Sequence, residues 1–149
     1  MKTVASIEID RPIETVFDYT VNNVSDWSET VVEETVVEET PDGVGSRFHM
    51  LTRDPGGKEM PFDGTVTLNE QPTAHTVVMI GEKFDIEASY TFDDLGGRTR
   101  VNMVSIVTPK SLGMKLMILL FGWLGKRSGC KALESEFACL KKKVEALGN

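Results

Sequence analysis

The 149-residue chain carries 23 acidic and 16 basic residues, a formal net charge of −7, with 26% charged and 40% hydrophobic side chains. These are the proportions of an ordinary globular protein, and the length suits one domain over residues 1–149 that buries roughly 70% of its unfolded surface, with room for a modest cavity. The acidic balance opposes binding to nucleic acid, whose phosphates need a basic footprint, and general attraction to anionic membranes, although Lys126, Arg127 and Lys131 form one local basic cluster.

The opening MKTVASIEID has no continuous apolar core, so no signal peptide is expected. From Thr3 to Asp10 it alternates, with Ala5, Ile7 and Ile9 against Ser6, Glu8 and Asp10, which predicts a strand. Arg11-Pro12 ends it, and Pro12 suits the first turn of a helix carried by Ile13, Val16, Phe17 and Val21 to about Asn22. Ser25–Glu29 reads as a capped short helix or turn with Trp27 as a buried anchor.

Between Thr30 and Thr40 the segment TVVEE occurs twice, a period of five that matches neither a helix nor a flat strand. Its β-branched content predicts an edge strand with a bulge, whose four glutamates guard the edge against pairing with another chain. A carboxylate metal site is the sharper reading of those glutamates, but no second ligand set accompanies them.

Pro41-Asp42-Gly43 predicts a turn, Ser46–Asp54 a strand and Pro55-Gly56-Gly57 another turn. Lys58–Gln71 is a long strand with Phe62, Gly64, Val66 and Leu68 on one face, its regular pairing expected only after Pro61. Thr76–Glu82 follows. Phe84, Ile86, Ala88, Tyr90 and Phe92 then alternate cleanly with Asp85, Glu87, Ser89, Thr91 and Asp93. After the turn at Leu95-Gly96-Gly97, Arg98–Val107 returns with Val101, Met103, Ser105 and Val107 on one face, and Pro109 leads out of it.

The last forty residues carry one apolar stripe at helical spacing: Leu112, Leu116, Leu119, Trp123, then Cys130, Leu133, Phe137, Leu140, Val144 and Leu147, with Lys126 falling on the stripe in the gap. The uninterrupted apolar stretch Leu116–Leu124 is nine residues long, against about twenty for a membrane span. Cys130 and Cys139 lie about 13 Å apart along this helix, too far for a disulfide, and two unpaired thiols fit a cytoplasmic protein.

The order is therefore strand, two short helices, six strands and one long helix: an α+β chain whose antiparallel meander buries one face against the helix. A curved sheet gripping one helix tends to enclose a pocket. The segments SIEIDRPIETVFDY (Ser6–Tyr19), Asp26-Trp27, GVGSRF (Gly43–Phe48), YTFDDLGGRTRV (Tyr90–Val101) and LKKKVEAL (Leu140–Leu147), in this order and spacing, resemble the SRPBCC superfamily of START-like, helix-grip proteins, and within it the polyketide cyclase/dehydrase and lipid transport group. The resemblance covers essentially the whole chain. It implies a seven-stranded antiparallel sheet curved around the long helix, with an apolar cavity between them. Members bind lipids, sterols, polyketides, quinones or plant hormones, and a few do chemistry.

Inward alternation then nominates a cavity wall of Phe48, Met50, Phe62, Val66, Met79, Phe84, Ile86, Tyr90, Met103 and Ser105, facing Leu116, Leu119, Trp123, Leu133 and Phe137. The plainer alternative is a filled core. Tyr90 and Ser105 are the polar groups on otherwise apolar faces and would orient a ligand. His49 alternates outward and His75 falls in a turn after Pro72, so neither suggests a triad, and the scattered Cys and His make no zinc pattern. Gly43-Val44-Gly45 precedes a strand and reads as a hairpin turn, not a nucleotide loop.

No cofactor and no catalytic residue is assigned. Leu112–Gly125 is apolar nearly all round, with Met114, Met117, Ile118, Leu120, Phe121 and Leu124 off the stripe, and Gly113, Gly122, Gly125 and Gly129 weaken the helix by about 1 kcal/mol each. Such a patch, Met114–Leu124, points to a second subunit, a transient membrane contact or a ligand gate. Three readings follow: a carrier of a small hydrophobic molecule; a cyclase, dehydratase or hydrolase on the same fold, with Tyr90 or a register-flipped His49 as acid or base; and an interaction protein using the patch.

Overall fold

The computed structural model describes residues 2–54 and 56–147; the side chains at 117, 118 and 121–130 lie outside the described set. In chain order the elements are β1 (Lys2–Ile9), α1 (Ile13–Asn22), α2 (Val24–Trp27), β2 (Val31–Glu38), β3 (Arg47–Arg53), β4 (Glu59–Glu70), β5 (Ala74–Gly81), β6 (Phe84–Asp94), β7 (Thr99–Pro109) and α3 (Leu112–Glu145). The strands form one antiparallel sheet in the order β1-β7-β6-β5-β4-β3-β2. β2 to β7 are a meander of neighbours, and β1 joins the far side of β7 once α1 and α2 have crossed an end of the sheet. This is the expected α+β arrangement, a curved seven-stranded sheet gripping one long C-terminal helix.

Local chemistry explains the less regular elements. β2 is the expected edge strand, and its pairing with β3 slips at two places, Val31/Glu33 and Val36/Glu38. Each slip absorbs one residue of the five-residue repeat, so a period that fits no strand becomes strand between bulges. Gly43 and Gly45 turn the chain towards β3 with φ near +87° and +88°, backbone that favours glycine. β4 pairs with β3 on both sides of Pro61, from Glu59 onwards, earlier than expected. β5 joins β4 only from Phe62, so Pro61 sits where one side of the strand has no partner, a position a proline tolerates.

The solid part of the core is at one end. Ile9, Val16, Phe17, Trp27, Phe92 and Val101 are buried there with Phe137, Leu140 and Val144 of α3. Trp27 is the anchor its sequence position predicts: its Nε1 donates to the Thr20 carbonyl at 3.2 Å, and its ring meets Phe137 at 6.5 Å.

The first half of α3 departs from expectation. Leu112 is 84% exposed, Leu116 56% and Leu119 80%, so the stripe is not buried from its start. The reason is length. Thirty-four helical residues extend about 51 Å, whereas the longest strand, at twelve residues, spans about 40 Å. Among the described residues α3 packs mainly on β1, through its C-terminal half, while Leu112, Leu116, Leu119 and Leu120 overhang, exposed. No helix among the described residues is long and apolar enough to cross a membrane.

The end of α3 is tied to the β1–α1 corner. The Arg11 guanidinium donates to the carbonyls of Glu145 and Leu147, the Glu145 carboxylate accepts from the Asp10 backbone N–H at 2.8 Å, and Lys141 donates to the Glu8 carbonyl at 2.8 Å. A cation on otherwise unpaired carbonyls at a helix C-terminus satisfies them and meets the negative end of the helix dipole. Arg11→Met therefore lowers unfolding stability by about 1–3 kcal/mol in denaturant titration, whereas Arg47→Met, which breaks only an exposed pair with Glu38, changes it by less than about 1 kcal/mol.

Candidate functional site

A cavity of about 720 Å³ opens between the inward face of the sheet, α1–α2 and the middle of α3. Nine strand residues named from the sequence line it: Phe48, Met50, Phe62, Val66, Met79, Ile86, Tyr90, Met103 and Ser105. Leu133 lines it from the helix. Four others sit elsewhere. Phe84 is off the wall, packed beside Phe62 with ring centroids 5.7 Å apart. Phe137, 1% exposed, belongs to the solid end, and Leu116 and Leu119 stand exposed on the overhang. Trp123 lies outside the described residues, as do Met117, Ile118, Phe121 and Leu124 of the apolar segment, the helix-weakening Gly122, Gly125 and Gly129, and Cys130.

Two glycines shape the floor. Phe48 pairs across strands with Gly64, and Phe62 with Gly81. A Cβ on Gly64 would overlap the Phe48 ring, and one on Gly81 would meet Phe62 Cε1 at 2.5 Å. Each ring is thus packed down over its glycine, which keeps it against the sheet.

The wall also carries polar groups that the sequence reading missed. Glu136 precedes Phe137 and lies three residues after Leu133, a helical step that keeps it on the inner face. Its Oε1 accepts from Thr30 Oγ1 at 2.8 Å and Ser28 Oγ at 3.2 Å. Glu34 pairs across strands with Met50, because the bulge before it resets the alternation of β2 and turns this glutamate inward. His75 is not in a turn. It lies in β5 as the cross-strand partner of Tyr90, is 8% exposed, and its Nδ1 is 3.2 Å from Asn69 Oδ1. His49 faces out, as expected, 2.5 Å from Asp63.

The electrostatics follow from dry surroundings. Burial pushes the Glu136 carboxyl above its ordinary pKa; the hydrogen bonds from Thr30 and Ser28 oppose this and nearby Glu29 adds to it. Burial likewise raises Glu34 and lowers His75, which favours the uncharged forms. Tyr90 is raised by burial first, then by the charges of Glu136 and Glu34, so it stays a protonated donor. Among the described residues, the hydroxyls of Tyr90 and Ser105 and the carboxylate of Glu34 have no hydrogen-bond partner, and the buried Thr20 Oγ1 has none either. Such groups are normally paired. No cluster of His, Cys, Asp or Glu among the described residues is placed to hold a metal ion.

The raised Glu136 makes a signed prediction. A group whose pKa is higher in the folded state stabilises the fold below its unfolded value, and that contribution is lost as pH rises through the folded value. Glu136→Gln keeps an acceptor for Thr30 and removes the buried charge. The variant melts a few degrees above the parent at pH 7, and in thermal scans the gap closes as pH falls through the raised folded value of Glu136 to its ordinary value of 4.5.

Comparison with known proteins agrees with this geometry. The protein TTHA0849 from Thermus thermophilus superposes with a TM-score of 0.81 at 17% identity over 100% of both chains. A START superfamily protein from Mycobacterium smegmatis gives 0.82 at 17% identity over 99% of each. The Zhui aromatase/cyclase from Streptomyces sp. R1128 gives 0.73 at 9% identity over 97% of this chain and 93% of that one. At such identities the likeness establishes the fold alone. No curated protein matches the sequence. The family described as polyketide cyclase / dehydrase and lipid transport matches residues 1–145, and the chain, a START-like helix-grip protein, belongs to that family.

Proposed function

We propose that this protein binds and carries a small hydrophobic molecule, a lipid, quinone, polyketide or similar, in the cavity between sheet and α3. The observation that carries this reading is a pocket of about 720 Å³, walled by apolar side chains of six strands, that still holds hydroxyls without partners among the described residues. Its volume falls in the range of small-molecule sites. A ligand that buried about 300 Å² of apolar surface there would gain roughly 7 kcal/mol from desolvation before association costs. Tyr90 and Ser105 would fix its orientation. Membership of a family named for both cyclases and lipid transport supports the same class of ligand. The free thiol of Cys139 fits a reducing, cytoplasmic setting.

One observation favours the cyclase, dehydratase or hydrolase reading as second. Glu34 and Glu136, both with raised pKa, flank a protonated Tyr90, and carboxyls shifted towards neutrality are suited to moving protons. The exposed Leu112, Leu116, Leu119 and Leu120 keep a subunit or membrane contact as a further role for the overhanging helix, read by concentration-dependent mass.

The test is to purify the protein from cells, denature it and analyse the extract by mass spectrometry beside a Val77→Phe variant. Val77 lines the cavity, half-buried, opposite Ala88. The parent yields a stoichiometric hydrophobic compound; Val77→Phe, with an unchanged circular dichroism spectrum, yields at least tenfold less. An empty parent extract, with no thermal shift across a hydrophobic library, would overturn the carrier reading. Turnover of the extracted compound by the parent would select the enzyme reading.

A further inference from the structure

The cavity wall is electrically one-sided. Glu34 and Glu136 face it from β2 and α3, and Glu39 and Asp42 add exposed carboxylates at its rim. Among the described residues the wall has one cation, Arg47, and this half-exposed side chain is 3.1 Å from Glu38. Beside the carboxylates and hydroxyls the wall carries the His75 imidazole and the amides of Asn22, Asn69 and Gln71, of which Asn22 and Asn69 donate to Asp18 and to the Asp42 carbonyl. Glu34 accepts from no described group. The side-chain hydrogen bonds from Thr30 and Ser28 to Glu136 both go to Oε1. Tyr90 lines the same cavity as the two carboxylates, whose charges raise its pKa.

Ser105 gives this polar wall independent support. It is 8% exposed, it lines the cavity, and its hydroxyl has no partner among the described residues. It pairs across strands with Ala88, one inward position along β6 from Tyr90. A buried hydroxyl left open beside an apolar space is satisfied by whatever fills that space.

A carboxylate or phosphate brought here meets two like charges in a medium that screens them poorly, and no described cation is free to offset them. A hydroxyl or ammonium meets carboxylate acceptors, and Glu34 has no partner among the described residues. We propose that the cavity selects hydrophobic ligands whose polar end is a hydrogen-bond donor without negative charge, a hydroxyl or an amine, with Glu34 and Glu136 receiving the donor and Tyr90 and Ser105 orienting it. The proposal rests on the carrier reading and adds the chemistry of the head group.

Three fluorescent probes with the same four-ring body test it: 1-hydroxypyrene, 1-pyrenemethylammonium and pyrene-1-carboxylate, titrated into the full chain at pH 7. The first two bind at least tenfold more tightly than the carboxylate. In the Glu34→Gln/Glu136→Gln double variant the ratio falls to within about twofold, mainly because the carboxylate probe gains. Glu34→Gln alone, on the edge strand, gives a partial change and serves if the double variant fails to fold. Equal or tighter binding of the carboxylate by the parent overturns the head-group proposal while the carrier reading stands. An unchanged ratio in the folded variants does the same. Binding of none of the probes, or equal binding by Val77→Phe, overturns the carrier reading and the proposal with it.

Discussion

The seating of the last three turns of α3 governs the rest of the molecule. Phe137, Leu140 and Val144 are essentially inaccessible, and each contributes roughly 1.5–3 kcal/mol of burial. Arg11 and Lys141 add charged hydrogen bonds to backbone carbonyls, which tie the helix to the start of the chain. Together they set the rotation of α3 about its own axis. With 3.6 residues per turn, seating residues 137, 140 and 144 also fixes where 133 and 136 point. Leu133 and Glu136 therefore face the cavity as a consequence of packing one turn further on. The same seating leaves Leu112, Leu116, Leu119 and Leu120 exposed.

A second constraint follows from putting polar groups in that space. In dry surroundings the neutral form of each titratable group is favoured. Tyr90 stays a phenol and His75 an uncharged imidazole. The Glu136 carboxyl is held by Thr30 and Ser28, and Glu34 faces the cavity with no partner among the described residues. The cross-strand row Asn69, His75, Tyr90 carries this polarity over three strands, and Phe17, meeting the His75 ring at 6.2 Å edge to face, closes the row towards α1. Hydrogen-bonding capacity thus collects on one side of a pocket whose floor is Phe48, Met50 and Phe62.

What was legible in the sequence was what depends on short-range periodicity. The alternation of Phe84–Asp93 located β6 and its inward face, and the stripe Leu133–Val144 located the seated half of α3. What escaped depends on long-range geometry. Glu34 looks like an edge guard until the bulge at Val31/Glu33 is known, because one extra residue flips every side chain after it. His75 reads as a turn residue next to Pro72, and only its pairing with Tyr90 shows it to be strand. Glu136 was in principle visible, three residues from Leu133 and one from Phe137, but a charge on an apolar stripe is easily assigned to its solvated flank. Leu116 and Leu119 obey the stripe perfectly and remain exposed, since periodicity reports a face and not the length of the surface that meets it.

Small residues explain why the space persists. A chain of this size gains stability by filling its core, and each void forfeits dispersion contacts. Here the cross-strand row at the middle of the sheet is Val66, Val77, Ala88 and Ser105, while Phe48 and Phe62 are drawn down over Gly64 and Gly81. Large side chains are present, but they lie along the floor. The solid end, with Trp27, Phe17, Phe92 and Phe137, supplies aromatic packing at centroid distances of 5.1 and 6.5 Å that offsets the unfilled middle. Stability and cavity are thus divided along the length of the sheet, and the middle of α3, where Leu133 and Glu136 sit, spans the boundary between them.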